Sequence, residues 1–404
     1  MRSKTILIIF WIFFLLIPPP LRADTSQEEE DEEEAPHKPV PVGSYGGIMN
    51  PDISVIANIE AFFTDNEDLF NRRKIRIKEA ELALQGYLYP GIRGDVIAAL
   101  EQDYLPDDTV ETHVDLEEAY VSFLSLPAGL QVEGGRKFMD FGRLNRMHPH
   151  HWPFATTPLV MKNFFGEHNW YDDGVQASIL IPNPADVYIK VTGGIWNGAR
   201  LGHVHGEDAH ENGDSEDHED GEENDGHDHE NGEENDPGDD TVLYFPGHVY
   251  LGRASVGFMA GDNGDFLFGG SYAGDTENAT SLAGADITFT YTFPRSYRRL
   301  RWQTEFMRVR DEETGTKPWG AYSFLTYTLN KYWEFGGRFD WTEQLINDQK
   351  DVTGGSLFGT YYFTHSMCLR CEYQHLKYSE MGDDNLFYIQ FVFGLGPHAH
   401  RLQD

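Results

Sequence analysis

From Trp333 to Trp341 the chain alternates without a break: Trp333, Phe335, Gly337, Phe339 and Trp341 are interleaved with Glu334, Gly336, Arg338 and Asp340. Successive side chains of an extended strand point to opposite faces, so this period of two makes one face fit for hydrocarbon and one fit for water. The same pattern sets Ala119, Val121 and Phe123 against Glu118, Tyr120 and Ser122. It recurs where Phe387, Ile389, Phe391 and Phe393 alternate with Tyr388, Gln390 and Val392. From Ile53 onward about sixteen such segments follow one another, each near the roughly 10 residues of a membrane-crossing strand. They centre on Val55, Leu82, Ala98, Val121, Val132, Ala177, Ile189, Leu251, Phe266, Ile287, Phe306, Phe324, Phe335, Phe358, Tyr373 and Ile389.

The connections give an independent check. Every second one is compact and mostly built of turn formers: Pro90-Gly91, Leu126 to Gly129, Pro182 to Pro184, Gly261 to Gly264, Phe293 to Arg295, Asn330-Lys331 and Thr364-His365. The intervening connections are longer and more polar, notably 139–172, 198–243 and 343–352. Alternating short and long connections belong to a transmembrane antiparallel β-barrel, here read over 48–396. A secreted β-sandwich or β-helix is the competing class, but a sandwich does not require that alternation.

Composition agrees. The chain is polar on average, yet it holds 27 Phe, 20 Tyr, 8 Trp and 41 Gly with very few long apolar runs. Strands with one lipid face and one lumen face explain that combination. The single apolar run, Ile6 to Pro18, follows Met1, Arg2, Ser3 and Lys4 and precedes a small-residue cleavage point near Ala23. That order marks residues 1–23 as an export signal, the alternative being a retained anchor. Residues 24–47 read as an acidic disordered leader, too short for the plug of an energy-coupled receptor, whose barrel needs about 22 strands. The net charge of -36 is concentrated in acidic blocks. With no basic patch to displace counterions, nucleic acid is excluded as a partner.

The connection 139–172 is the most informative. It carries Arg143, Arg146, His148, His150 and Glu167 among Trp152, Phe154, Leu159, Val160, Phe164 and Phe165, a composition that must pack against something. It is therefore expected to fold into the barrel mouth, with those five charged or titratable residues near a constriction. On the strands, Arg136, Arg253, Arg301, Arg338 and Arg370 stand against Glu118, Glu305 and Glu334. They are read as wall charges that either set up a transverse field or simply satisfy one another.

The segments Phe141 to His150, Asn50 to Ile56 and Phe393 to His400 resemble a family of porin-like bacterial outer-membrane proteins, some labelled zinc-associated receptors. The resemblance implies a passive outer-membrane channel for small hydrophilic solutes, in contact with outer-membrane lipid and without a required cofactor. It places 139–172 where sixteen-stranded porins have their constriction loop, and homotrimers enter by the same analogy. The C-terminus departs from the usual pattern, because Phe393 is followed by further residues and a tail over 397–404.

Within 198–243, His203, His205, His210, His218, His227 and His229 lie among carboxylates. Imidazole with carboxylate suits zinc, nickel or copper. Three readings stand side by side: weak multi-site capture of divalent metal, an inert solvated loop, and a single structural metal site. His398 and His400 repeat the H-x-H spacing in the tail as a lesser metal candidate. Cys368 and Cys371 leave a local disulfide or free thiols open, although positions i and i+3 of a strand point to opposite faces. No nucleophile elbow, zincin helix or phosphate loop is present, so the expectation is not an enzyme. The rivals to a channel are a non-conducting metal-binding barrel and a barrel enzyme.

Overall fold

A computed structural model describes residues 51–66, 73–104, 109–166, 168–185, 187–198, 243–312, 314–345, 350–379 and 382–396. The export signal, the acidic leader, Glu167, the six histidines from His203 to His229, and the tail with His398 and His400 lie outside these residues.

Sixteen strands follow in chain order: β1 (Asp52–Thr64), β2 (Ile75–Tyr89), β3 (Ile92–Tyr104), β4 (Val110–Phe123), β5 (Leu130–Phe138), β6 (Tyr171–Leu180), β7 (Tyr188–Trp196) and β8 (Val249–Ala260). Then come β9 (Gly264–Asp275), β10 (Thr280–Thr292), β11 (Arg299–Asp311), β12 (Trp319–Thr328), β13 (Trp333–Glu343), β14 (Asp351–Thr364), β15 (Met367–Tyr378) and β16 (Gly382–Leu395). Each pairs antiparallel with its neighbours, and β16 returns to β1 in a register running from Val55 opposite Leu395 to Thr64 opposite Leu386. The sheet is closed, so no strand edge is left unpaired. All sixteen strand centres read from the alternation fall inside these strands.

The two faces are inverted relative to a water-soluble protein. Leu325, Phe339 and Leu357 point outward and are 47%, 56% and 61% exposed, whereas Glu305, Arg338 and Arg370 point inward and are buried. Among the described residues no helix is long and apolar enough to cross a membrane, and here the crossing is made by strands. Aromatic side chains gather near both rims. At the short-turn end Phe258, Phe266, Phe268 and Phe289 pack ring against ring, as do Trp333, Phe335, Tyr361 and Phe363. At the long-loop end Phe306, Trp319 and Trp341 form a second cluster. Amphipathic rings at two levels, with aliphatic residues between, mark a transmembrane barrel of the outer-membrane type.

Two register breaks shape the lumen. Between β1 and β2 the pairing passes from Asn58–Glu79 to Ile59–Ile77, leaving Lys78 as an extra residue. Between β3 and β4 it passes from Ile97–Glu118 to Ala98–Leu116, leaving Glu117 extra. Such a bulge interrupts the inward-outward alternation, and consecutive charged residues, Lys78 with Glu79 and Glu117 with Glu118, consequently both reach the lumen. Cys368 and Cys371 are free thiols, both buried, and Cys368 packs with Ile56, Tyr362 and Val392.

The lipid face yields a direct test. Leu325→Arg, near the middle of β12, should destabilise the barrel by about 2–4 kcal/mol, while Tyr297→Arg in a rim turn should cost about 0–1 kcal/mol. Denaturant unfolding in lipid vesicles reads both. Equal effects at the two positions would contradict the assigned membrane level.

Candidate functional site

The third long connection, between β5 and β6, turns into the barrel and crosses its lumen. Its local folding starts from Asn145, which is wholly buried. The Asn145 side-chain amide donates to the carbonyls of Met139 and Trp170, both at 2.9 Å, and its oxygen accepts from the Trp170 N–H at 2.6 Å. Asn169 then donates to the carbonyls of Asn145 and Met147. These bonds join the two ends of the loop into a neck. Beyond it, 3-10 turns at Leu144–Arg146 and Pro149–His151 lead to a short helix, α1 (Leu159–Phe165).

Apolar side chains of the loop form a core within the lumen. Phe141, Leu144, Trp152, Phe154, Val160, Met161, Phe164, Phe165 and Trp170 pack against Leu282, Met307, Tyr322, Phe324, Phe358 and other wall residues. Trp170 stacks on Phe245 at 5.1 Å. The wall is cut to fit: a Cβ on Gly284 would come 2.8 Å from the Phe141 ring. Gly142 has a φ of 63°, and its N–H donates to Ser271 Oγ.

Charged wall residues satisfy the loop backbone. Glu305 accepts from the N–H groups of Arg143 and Leu144 at 3.0 and 2.9 Å. Glu372 accepts from the N–H groups of Ala155 and Thr156 and from the Thr156 hydroxyl. Arg338 donates to Thr156 O and Oγ1 at 2.7 and 2.8 Å and lies over the Phe154 ring. Arg370 donates to the carbonyls of Phe154 and His150, and Asp340 accepts from the Leu159 N–H. Within the neck, Asp140 binds Arg146 at 3.0 Å and accepts from Thr192. Burial raises the Asp140 pKa, but the charges of Arg146, Lys190 and Arg253 outweigh it and leave it below the usual carboxylate range. Asp140 therefore holds its partners at neutral pH, and this contribution is lost only as pH falls through that lowered value.

On the opposite side the loop meets an acidic wall. His148 Nδ1 lies 3.0 Å from Glu81 Oε2 and 3.4 Å from Glu117 Oε2, and Nε2 lies 3.3 Å from Glu118 Oε2. His150 Nδ1 is 3.5 Å from Glu79 and 3.6 Å from Glu81. The two imidazoles stack at 5.4 Å. Burial alone would lower the His148 pKa, but Glu81, Glu117 and Glu118 raise it well above the ordinary imidazole value. Glu79, Glu81, Glu117 and His148 each offer one ligand atom, and these atoms lie within 4.8 Å of one another. Three carboxylates and an imidazole are a donor set able to hold a divalent metal.

The residues picked out from the sequence thus divide. Arg143, Arg146, His148 and His150 come together on the inserted loop, and Glu118, Glu305, Arg338 and Arg370 meet it from the wall. Arg253 is held in the lumen by Asp286 at 2.6 Å, with Asp140 at 3.8 Å. Arg301 binds Gln303 and Glu334 accepts from Thr328, both towards the short-turn end. Arg136 pairs with Asp173 near the long-loop end of β5 and takes no part in docking the loop. Glu79, Glu81, Glu117, Glu372 and Asn145 were not picked out. The Glu79-Ala80-Glu81 alternation was a signal for two of them, since it places both acids on one face.

No family model matches the chain. It is 27% identical over 313 residues to an uncharacterized protein of Aquifex aeolicus (strain VF5), covering 70% of this chain and 62% of that protein. The match therefore spans less than two thirds of that relative. Among solved structures, an anion-selective porin from Comamonas acidovorans superposes with a TM-score of 0.51 at 11% identity, covering 85% of this chain and 99% of that one. OprB of Pseudomonas putida gives 0.52 at 11% identity, covering 85% and 94%. The outer membrane channel DcaP of Acinetobacter baumannii gives 0.50 at 9%, covering 85% and 97%. At these identities the likeness concerns the fold: the chain is a sixteen-stranded barrel of porin type.

Asn145→Ala should open the neck. It leaves buried backbone groups without partners, at about 1–3 kcal/mol each, and trypsin should then cut after Arg143 or Arg146 in folded barrels. Unchanged resistance would show that the wall contacts alone hold the loop.

Proposed function

We propose that the protein is an outer-membrane channel through which small hydrophilic solutes diffuse, with divalent metal ions the sharper candidate among them. The observation that carries this reading is the inserted loop, anchored at mid-barrel by Glu305, Arg338, Arg370 and Glu372. A loop held there narrows a pore without sealing the fold around it. Arg143, Arg146, His148, His150 and Glu167 are the constriction residues in this reading. The wall charges Glu118, Glu305, Arg253, Arg338 and Arg370 hold the constriction in place. Arg301 and Glu334 stand towards the short-turn end, and Arg136 stands near the entrance. At the short-turn end a cleft of about 300 Å³ lined by Thr292, Arg299, Thr328, Lys331 and Glu334 provides a polar exit.

The histidine-rich segment from His203 to His229 would act as the collector. A concentration of negative charge near a pore raises the local concentration of cations, an effect that weakens as salt screens it. No catalytic step and no bound cofactor are needed. A second reading has its own support: the apolar core formed by the loop favours a barrel that holds metal without conducting.

Single-channel recording of the mature protein in planar bilayers tests the proposal. The wild type should give stable steps. Arg338→Met combined with Glu372→Gln, which loosens the loop, should give larger and noisier ones. Silence from both, with folding verified by heat-modifiable electrophoretic mobility, would favour the non-conducting reading. Deleting 203–240 should lower zinc accumulation when zinc is scarce and leave barrel assembly intact, and unchanged uptake would remove the collector role.

A further inference from the structure

We propose that Glu79, Glu81, Glu117 and His148 form a binding site for one divalent transition-metal cation, which ties the inserted loop to the wall of β2, β3 and β4. The site differs from the histidine-rich segment, and it stands whether or not the barrel conducts.

The case begins with the backbone. Glu79 and Glu81 alternate on β2, while Glu117 is the extra residue of the bulge on β4. Between these strands, Ala99 of β3 pairs with both Glu81 and Asp115. Its single methyl leaves the space above β3 free for carboxylates to converge from the two sides. His148 descends into that space from the loop.

The side chains are arranged for a missing positive centre. Glu79 and Glu117 are both more than nine-tenths buried, and Glu79 Oε1 and Glu117 Oε2 accept no hydrogen bond. Among the described residues, the charged partners of Glu79, Glu117 and Glu118 are His148 and His150 alone. His148 Nδ1 faces Glu81 Oε2 at 3.0 Å and Glu117 Oε2 at 3.4 Å, off the line of a well-directed hydrogen bond to either. Its other nitrogen, Nε2, is engaged by Glu118. A carboxylate that takes the proton on one imidazole nitrogen directs the lone pair of the other toward a metal. A bare lone pair aimed at carboxylates is repulsive, so a positive centre, either a proton or a metal cation, stands between Nδ1 and the oxygens of Glu81 and Glu117.

The donor set selects the class of ion. Calcium and magnesium prefer oxygen ligands throughout, whereas imidazole with carboxylate suits zinc, iron(II) or manganese(II). Metal bonds of about 2.0–2.2 Å place opposed ligand atoms roughly 4 Å apart. The 4.8 Å span of these atoms therefore closes onto an ion with side-chain shifts of a few tenths of an ångström. Three carboxylates with a dication leave a net charge near -1, and the His150 imidazole stands beside Glu79 and Glu81.

The experiment counts zinc. Purified full-length barrel is stripped with chelator, reloaded with zinc, washed through a weak chelator and assayed by elemental analysis beside Glu79→Gln/Glu117→Gln and His148→Gln. The wild type should keep one equivalent that both variants lose, with trypsin sensitivity at Arg146 rising in parallel. Should the ligand variants fail to fold, Glu118→Gln decides. It keeps all four donors and should weaken retention about 10–100-fold. Wild-type protein that keeps no zinc, or variants that keep as much as the wild type, would overturn the site and assign any bound zinc to the histidine-rich segment. Conductance plays no part in this readout, so the fate of the channel reading is separate.

Discussion

A backbone surrounded by hydrocarbon must pair every N–H and C=O within itself, and the closure of β16 onto β1 is how this chain meets that demand. Once the ring is closed, the solvent order is reversed: apolar residues face out and polar residues fill the inside. A segment that enters such a lumen brings unpaired backbone groups into a low-dielectric space, where each costs about 1–3 kcal/mol if left alone. The inward face of the barrel already carries the partners. Glu305 and Glu372 each accept from consecutive backbone N–H groups, and Arg338 and Arg370 serve the carbonyls. The loop can therefore be deeply buried with only one short helix and two 3-10 turns of its own, because the wall supplies much of what a sheet or helix would.

The two bulges give this arrangement its polarity. A regular strand offers one inward residue in two, but a bulge presents neighbours together. Glu117 beside Glu118 and Glu79 beside Lys78 make the β2–β4 wall denser in charge than alternation allows. His148 and His150 are the loop's answer to it. One side of the loop thus meets carboxylates through imidazoles, and the other meets mixed Arg and Glu through backbone. The loop lies between two chemically different walls, so its orientation in the lumen is defined.

Much of the fold was legible because it rests on a strictly local signal. Alternation of Phe339 with Arg338 and Asp340 needs no knowledge of distant residues, and turn formers such as Pro182-Asn183-Pro184 mark where the chain reverses. The inward loop was legible for a related reason, since Trp152, Phe154 and Phe165 have no place in a water-exposed connection. The partners of the loop were not. Glu372 is 217 residues from Ala155, and nothing near it in sequence announces that it will meet a backbone N–H. The bulge at Glu117 was equally hidden, because a one-residue slip depends on what β3 presents opposite. Arg338 and Arg370 were noticed as charges and read as wall residues of the pore, whereas both also donate to carbonyls of the loop itself.

Those contacts also bear on why the anchors are charged at all. Arg338, Asp340 and Glu372 are fully buried, with Arg338 at 2.7 Å from Asp340 and 3.6 Å from Glu372. A buried ion pair adds little net stability, because desolvation consumes most of the attraction, but breaking it by removing one partner is strongly destabilising. An apolar contact such as Phe154 against Phe324 tolerates small displacements, while a guanidinium bonded to both Thr156 O and Oγ1 does not. The apolar core thus draws the loop into the lumen, and the charged anchors select one position within it. Where the loop stops is therefore decided by the residues whose partners cannot be exchanged.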